Sequence, residues 1–433
     1  MKDSTQTEDL RQQAGRIGFT GPFSDVNYGD YAMVVNNIYD IDRSEVTLFS
    51  SDDEFLIKIR DHYLAELDVR IVGINLDEDG LRTADENYPF TAIEMRALAT
   101  NLEELRNQVA QLSLLVVNGG GYFNGLWSLR HRISKLVSIM LPALVAREMN
   151  VPVIFTGNSY GPFGPSAAMH SSFFAYLQGT TFGCRDDMFS PMWMREIGVS
   201  EGSLRVIPDD LLVLNKRLAA MKPTVKITTE PYVVLETYVP VADLEASADK
   251  LRCAADQMYD EFGLHTVTLP FNLAHGGIEQ AEYLSNLLDH NEFVDIRARG
   301  FLPIEDAASI IGGARMVISN RYHAQVHAVG LGTPSVGVLR PVIGDRRYYY
   351  TKNLGMLRQA LAGVPFREED YLRFDFSNAV AHAGENFAAL CAAQQRNFGG
   401  RYRDNLKAAD ATRKNFLSEA LTLAARSDEY QGR

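Results

Sequence analysis

The stretch that decides the fold is ISNRYHAQVHAVGLGTPSVGVL, residues 318–339. The apolar residues Met316 to Ile318 predict a strand, which runs into a polar turn and then a helix of small residues. Gly332-Thr333-Pro334 ends that helix, and a second short apolar strand follows. Strand, turn, helix and strand form a βαβ unit. In a sheet built from such units, ligands bind beyond the carboxyl ends of the strands.

The turn of this unit carries two chemically active side chains. Arg321 supplies a permanent cation and His323 a titratable imidazole. Both stand at a helix N-terminus, where backbone N–H groups already favour anions. The turn therefore predicts a phosphate or carboxylate site with an acid or base at hand. The alternative is a surface turn with two incidental polar residues.

Apolar runs of strand length alternate with helical segments along most of the chain, which predicts parallel sheets. The pattern is interrupted at Lys222 to Pro231 and then restarts, so two doubly wound, Rossmann-like α/β domains are expected, facing each other across a cleft. The predicted organisation is a flexible N-terminus at 1–14, an α/β domain at 15–221, a linker at 222–231, a second α/β domain at 232–374, and C-terminal helices at 375–433 that pack across both domains.

Composition limits the possible functions. With 433 residues and a formal net charge of −13, the chain does not suit nucleic acid, which requires a basic surface. Its three cysteines are too few and too scattered for a disulfide framework or a zinc ribbon. The N-terminus is polar and acidic, unlike a signal peptide. No apolar run reaches the ~20 residues that span a bilayer, so a cytoplasmic protein is expected. The sequence is compatible with a monomer or a homo-oligomer.

Three further segments are candidates for ligand binding. The turn from Gly18 to Asp30 follows the first strand and opens a helix, with Asn27 and Asp30 at its end; a capped turn is the alternative. Gly119, Gly120 and Gly121 directly follow a buried strand, and their loss of entropy on ordering suggests close backbone approach to a ligand or to the other domain. His131, a few residues on, is placed to join that site or to lie on the surface. Arg185 follows another strand end, and an ordinary ion pair with Asp186 is equally compatible with the sequence.

Two motifs resemble known sites but lack essential parts. Residues 157–161 match the G-x-S-x-G nucleophile elbow, yet the following Gly-Pro-Phe-Gly-Pro breaks the helix that an elbow requires. His323 and His327 stand four residues apart, but no H-E-x-x-H motif is completed. We therefore predict neither a serine hydrolase nor a metal site, and a structural role for His327.

Taken in order, these segments resemble the polysaccharide pyruvyl transferase family. The resemblance rests on the following segments, within Arg16 to Arg340: Asn27-Tyr28-Gly29-Asp30, Gly119-Gly120-Gly121, Arg185-Asp186, Asp209-Asp210, Arg321-Tyr322-His323-Ala324 and Gly332-Thr333-Pro334. It implies a GT-B-like fold and transfer of a pyruvyl group from phosphoenolpyruvate to a saccharide, usually as a cyclic ketal on two hydroxyls. No other cofactor is implied.

The resemblance also implies roles for particular residues. Arg185 and Arg321 would hold the phosphate and carboxylate of phosphoenolpyruvate, and His323 would be the general acid. His131 falls where some members place a further active-site histidine. Arg340 stands near the position of a lysine in many members and would substitute for it. The loop after the glycines lacks the acidic residue that members often carry, because Gly125 occupies that place.

The resulting hypothesis is a transferase that moves the pyruvyl unit of phosphoenolpyruvate onto hydroxyls of a saccharide or related polyol. A second hypothesis is a GT-B glycosyltransferase with a nucleotide-sugar donor. It needs an acidic residue to hold a ribose, and Glu236 is the one candidate that the sequence offers. A third is a non-catalytic protein that binds an anion.

Overall fold

A computed structural model describes residues 15–23, 27–82, 90–273, 276–342 and 344–431. The chain divides into two compact units. The first comprises the described residues within Met1–Asp25, Met33–Asp210 and Ala411–Arg433, and the second those within Val26–Ala32 and Leu211–Asp410. The predicted flexible N-terminus at 1–14 lies outside the described residues.

The first unit contains a parallel sheet with the strand order β3-β2-β1-β4-β6-β7-β8, and β5 pairs with β6. Strand β4 is buried along its whole length, as its sequence, apolar except for Ser113, predicts. The strands are β1 (Arg16–Thr20), β2 (Glu45–Ser50), β3 (Asp68–Gly73), β4 (Leu112–Val117), β5 (Gly120–Phe123), β6 (Val153–Tyr160), β7 (Thr181–Cys184) and β8 (Leu204–Val206).

Helices connect these strands, and most residues of α1 (Tyr28–Ile41) and α6 (Ile133–Glu148) are buried. Helix α1 is divided, because its first turn belongs to the second unit and residues from Met33 onward belong to the first. The helices are α1 (Tyr28–Ile41), α2 (Asp53–Tyr63), α3 (Glu78–Arg82), α4 (Ala92–Ala97), α5 (Leu102–Val109), α6 (Ile133–Glu148), α7 (Ala167–Tyr176) and α8 (Phe189–Glu196), with 3₁₀ turns at Gly164–Ser166 and Glu201–Ser203.

The second unit is built around a parallel sheet of order β11-β10-β9-β12-β13-β14. Its strands are β9 (Tyr232–Glu236), β10 (His265–Thr268), β11 (Asn291–Phe293), β12 (Met316–Ser319), β13 (Ser335–Val338) and β14 (Leu372–Arg373). Its helices are α9 (Lys216–Ala219), α10 (Val241–Glu245), α11 (Ala248–Phe262), α12 (Ile278–Leu287), α13 (Ile304–Gly313), α14 (Tyr322–Leu331), α15 (Arg347–Ala360), α16 (Phe376–Asn397) and α17 (Gly400–Gln431), with a 3₁₀ turn at Glu368–Asp370. Helix α17 passes into the first unit at Ala411.

The predicted fold class, α/β with two parallel sheets, is confirmed. Several local predictions were wrong. The apolar run at 294–296 predicts a strand, and the pattern over 243–262 predicts a single helix; the structure has its strand three residues earlier, at β11, and two helices, α10 and α11. The glycines at 120 and 121 were expected in a loop but begin the short strand β5.

The two units also differ from the expected domains at their edges. The stretch 211–221 was expected in the first domain and packs in the second unit, as do the described residues of Val26–Ala32. The C-terminal residues from Ala411 return to the first unit. No described helix combines the length and the apolar character that crossing a membrane requires.

Candidate functional site

The turn between β12 and α14 is held by the carboxylate of Glu236, at the end of β9. Its Oε2 accepts hydrogen bonds from the Arg321 amide (2.8 Å) and the Ser319 hydroxyl (2.6 Å). Its Oε1 forms an ion pair with Arg321 Nε at 3.3 Å. Burial raises the pKa of Glu236, and the Arg321 charge and the Ser319 hydroxyl oppose that rise. Glu236 therefore fixes Arg321 at the N-terminus of α14.

The Arg321 guanidinium lies over the ring of Tyr238, 4.5 Å from its centroid, and donates from Nη2 to the Gly276 carbonyl at 3.0 Å. Arg340, which follows β13, lies over the same ring at 4.2 Å. Contact with an aromatic face is a favourable position for a guanidinium. The structure thus brings the two arginines that the sequence predicted in this domain to one tyrosine.

His323 packs against the backbone of Gly29, in the first turn of α1. A Cβ atom at Gly29 would lie 1.7 Å from His323 Nδ1, so no side chain larger than hydrogen fits there without displacing the imidazole. Van der Waals contacts between carbon atoms normally lie near 3.5–4.0 Å. The Asn-Tyr-Gly-Asp motif therefore forms the surface against which the His323 imidazole packs.

Asn27 and Asp30 flank Gly29 and hold its backbone in place. The Asn27 side-chain amide donates to Asp30 Oδ2 at 2.7 Å, and Asn27 forms an antiparallel bridge with Asn272. The Tyr28 hydroxyl lies 2.7 Å from His327 Nε2, and both of these side chains are buried. His327 thus has a structural partner, as expected. Substrate binding by Asn27 and Asp30 remains a prediction.

A further cluster beside Arg340 was not predicted from the sequence. The Lys352 ammonium, on α15, is almost fully buried and lies 4.0 Å from the ring centroid of Tyr349 and 4.9 Å from that of Tyr322. Arg340 Nη2 donates to the Tyr349 hydroxyl at 3.2 Å. The ring of Tyr322 is in turn 5.0 Å from that of His323. This group, Tyr238, Arg340, Tyr349 and Lys352, is called the tyrosine–cation cluster below.

In the first unit, the glycine segment meets a buried carboxylate. Asp210 Oδ2 accepts hydrogen bonds from the Gly119 amide (3.2 Å), the Thr156 hydroxyl (2.6 Å) and the Asn37 side-chain amide (2.9 Å). A Cβ at Gly119 would lie 2.3 Å from the same oxygen. Burial raises the pKa of Asp210, while the charge of buried Arg413 opposes the rise. Packing within the unit thus explains Gly119, and ligand binding by Gly119, Gly120 and Gly121 remains a prediction.

Arg185 is buried, with 1% of its side chain exposed, whereas the sequence suggested an arginine open to a ligand. Its Nη1 donates to Asp209 Oδ2 at 2.8 Å and its Nε to the Ser159 hydroxyl at 2.7 Å. The expected alternative, a surface pair with Asp186, does not fit the burial of both residues, and Asp186 accepts hydrogen bonds from backbone amides at the start of α8. A donor-binding role for Arg185 stays a prediction.

His131 lies exposed just before α6, with its Nε2 3.3 Å from Arg132 Nε. Aromatic side chains that follow the glycines and β6 could in principle stack on a sugar ring, but Tyr122, Phe123 and Tyr160 are fully buried and form part of the core. Ser159 lies within β6 and accepts from Arg185, which agrees with the expectation that residues 157–161 are not a nucleophile elbow.

The chain matches the family model for polysaccharide pyruvyl transferase over residues 25–340. No curated protein matches the chain. Similar solved structures include S. aureus MnaA bound to UDP (12% identity, 89% of this chain and 91% of that chain, TM-score 0.53). UDP-GlcNAc 2-epimerase from Neisseria meningitidis bound to UDP-GlcNAc is 10% identical over 94% of this chain and 99% of that chain, with a TM-score of 0.53. HepE of Anabaena in complex with UDP is 12% identical, covering 96% and 100%, with a TM-score of 0.51. At these identities the likeness shows a GT-B-type fold.

Proposed function

Because the chain belongs to the polysaccharide pyruvyl transferase family, we propose that it transfers the pyruvyl group of phosphoenolpyruvate to hydroxyls of a saccharide or related polyol. The product is a ketal, and phosphate is released. One observation carries the choice of donor: Arg321 and Arg340 contact the same tyrosine ring at the N-terminus of the helix that bears His323.

The charges of this region suit a small anion with two charged groups. The central carbon of phosphoenolpyruvate carries both the phosphate and the carboxylate, and arginine binds either group in a bidentate manner. The N-terminus of α14 adds backbone N–H groups and a favourable dipole. We assign donor binding to Arg321 and Arg340 rather than to Arg185, whose guanidinium is buried against Asp209 and Ser159.

His323 suits the role of general acid. Transfer of its proton to the methylene carbon of phosphoenolpyruvate gives an oxocarbenium-like centre, and an acceptor hydroxyl attacks that centre before phosphate leaves. An imidazole titrates near neutral pH, and such proton transfer contributes about 10²–10⁴ in rate. The close contact with Gly29 restricts the ring, which favours a fixed direction for the proton.

The proposed function is tested by measuring catalytic turnover. The protein is incubated with phosphoenolpyruvate and a panel of saccharides, and free phosphate and the ketal product are measured. Arg321→Ala should abolish or greatly reduce release at low donor concentration. Arg252→Ala, which removes an exposed arginine paired with Asp249 on α11, is the matched control and should behave as the wild type. Folded protein that forms neither phosphate nor ketal with any acceptor would refute the proposal.

A nucleotide-sugar donor is the second candidate, because the similar solved structures include complexes with UDP. The state of Glu236 speaks against it. Glu236 is buried and both of its oxygens face the β12–α14 turn, so a ribose hydroxyl would have to compete with Arg321 and Ser319 for this carboxylate. Thermal stabilisation by UDP but not by phosphoenolpyruvate would favour this candidate over ours.

A further inference from the structure

Tyr349 stands where the donor region meets α15. Its hydroxyl accepts from Arg340 Nη2 at 3.2 Å, and its ring lies 4.0 Å from the Lys352 ammonium. Residues three apart on a helix share one face, which explains the second contact. The guanidinium groups of Arg321 and Arg340 both lie over the ring of Tyr238, which is the second tyrosine of the cluster.

The groups around Tyr349 favour its ionised form. Burial by itself raises the pKa of Tyr349, but the charges of Lys352 and Arg340 and the hydrogen bond from Arg340 outweigh it and lower the pKa to about 7. Tyr238 moves the other way, because burial and the neighbouring Tyr349 raise its pKa. The remaining neighbours, Tyr348 and Tyr322, contact the Lys352 ammonium through their rings.

We propose that Tyr349 is a catalytic residue: the general base that removes the proton from the acceptor hydroxyl as it attacks the donor. The inference rests on the proposed function and adds the proton acceptor that addition to phosphoenolpyruvate requires. The geometry that supports it is a phenol oxygen that accepts a hydrogen bond from Arg340, on a ring beside the Lys352 ammonium. Lys352 also contacts the ring of Tyr322, which neighbours the ring of His323.

Every proton in the proposed reaction is accounted for. The acceptor oxygen bonds to the central carbon of phosphoenolpyruvate, and its proton passes to the Tyr349 oxygen. The methylene carbon becomes a methyl group with the proton from His323. When the second hydroxyl attacks, the carbon–oxygen bond to phosphate breaks; phosphate leaves with the proton that Tyr349 holds, and the proton of the second hydroxyl restores His323. No oxidant or metal is needed, and the products are the ketal and phosphate.

The first test needs no substrate. Near-ultraviolet absorbance of tyrosinate is followed from pH 5 to 10 in the full-length wild type and in Tyr349→Phe. The wild type should show one phenol that ionises near pH 7 and is missing from the variant. Lys352→Met should shift that ionisation to higher pH, because it removes a neighbouring positive charge. A wild type in which no phenol ionises below about pH 9 would overturn the inference.

The second test is kinetic. Tyr349→Phe should lower kcat by about 10²-fold or more, change the KM for phosphoenolpyruvate less than about threefold, and remove the acidic limb of the pH–rate profile. Lys352→Met should keep that limb but move it to higher pH. Tyr350→Phe is the control; its hydroxyl bonds Glu368, away from the cluster, so turnover should be unchanged.

The two proposals fail in different ways. A Tyr349→Phe enzyme with kcat within threefold of the wild type would overturn the inference and leave the proposed function standing. A wild type that never releases phosphate would refute the proposed function, while the titration of the free protein would still decide whether Tyr349 is ionised near neutrality.

Discussion

Replacing Gly29 by alanine tests whether the His323 imidazole must rest on that backbone. The new Cβ would lie 1.7 Å from His323 Nδ1, while ordinary contacts lie near 3.5–4.0 Å, so the ring must retreat by about 2 Å. A displacement of about 1 Å at a reacting group can cost ~10² in rate. We therefore expect kcat with phosphoenolpyruvate to fall by at least about 10²-fold and stability to fall by about 1–3 kcal/mol from overpacking.

The comparison that isolates this effect uses a second glycine-to-alanine change in a helix. Gly312 lies in α13, and a Cβ there would meet its nearest atom at an ordinary 3.5 Å. Gly312→Ala should leave kcat unchanged and raise stability by up to about 1 kcal/mol, since alanine favours helix. If helix propensity alone mattered, Gly29→Ala would gain the same stability as Gly312→Ala. Steady-state kinetics and urea unfolding of both variants distinguish displacement of His323 from an effect of helix propensity. A fully active, stable Gly29→Ala protein would refute the reasoning.

Three further outcomes are expected. Arg321→Ala should raise the KM for phosphoenolpyruvate roughly ten- to a hundredfold, because a charged hydrogen bond contributes about 1.5–3 kcal/mol, and Arg252→Ala should not; initial rates against donor concentration measure both. His323→Ala should instead lower kcat by about 10²–10⁴ and remove one limb of the pH–rate profile, with donor affinity nearly kept; loss of binding at unchanged kcat would make His323 an anion ligand. Burial lowers the pKa of His170 to about 4, so the folded state binds fewer protons than the unfolded state between pH 4 and 6.5. The unfolding free energy should fall by up to about 3 kcal/mol as pH drops through that window, and His170→Gln should flatten the curve in urea titrations; equal slopes would contradict it.

The order of elements and the candidate turn were predictable from local sequence. Arg321 and His323 follow an apolar strand and precede a helix, and that pattern alone places them at the carboxyl edge of a parallel sheet. Arg340 was predictable for the same reason, since it follows the next strand. Such positions depend on neighbours in the chain, which a sequence shows directly.

The rest depends on pairings between distant segments. Arg185 looked open to a ligand, but Asp209 and Ser159, from two other strand ends, bury its charge. The tyrosine–cation cluster joins segments around Tyr238 and Arg340 to helix α15, and no local pattern marks its members. The first turn of α1 packs on residues 271–272 of the second unit, although it lies in the first thirty residues of the chain.

The most direct test of the central claim is a crystal structure of the protein with phosphoenolpyruvate and an acceptor analogue that lacks the reacting hydroxyls. We predict that the donor's phosphate and carboxylate contact Arg321 and Arg340. Its methylene carbon should lie about 3–3.5 Å from a His323 nitrogen, the distance of a reactive arrangement. A donor bound away from these arginines, or one with its phosphate rather than its methylene carbon against His323, would contradict the account.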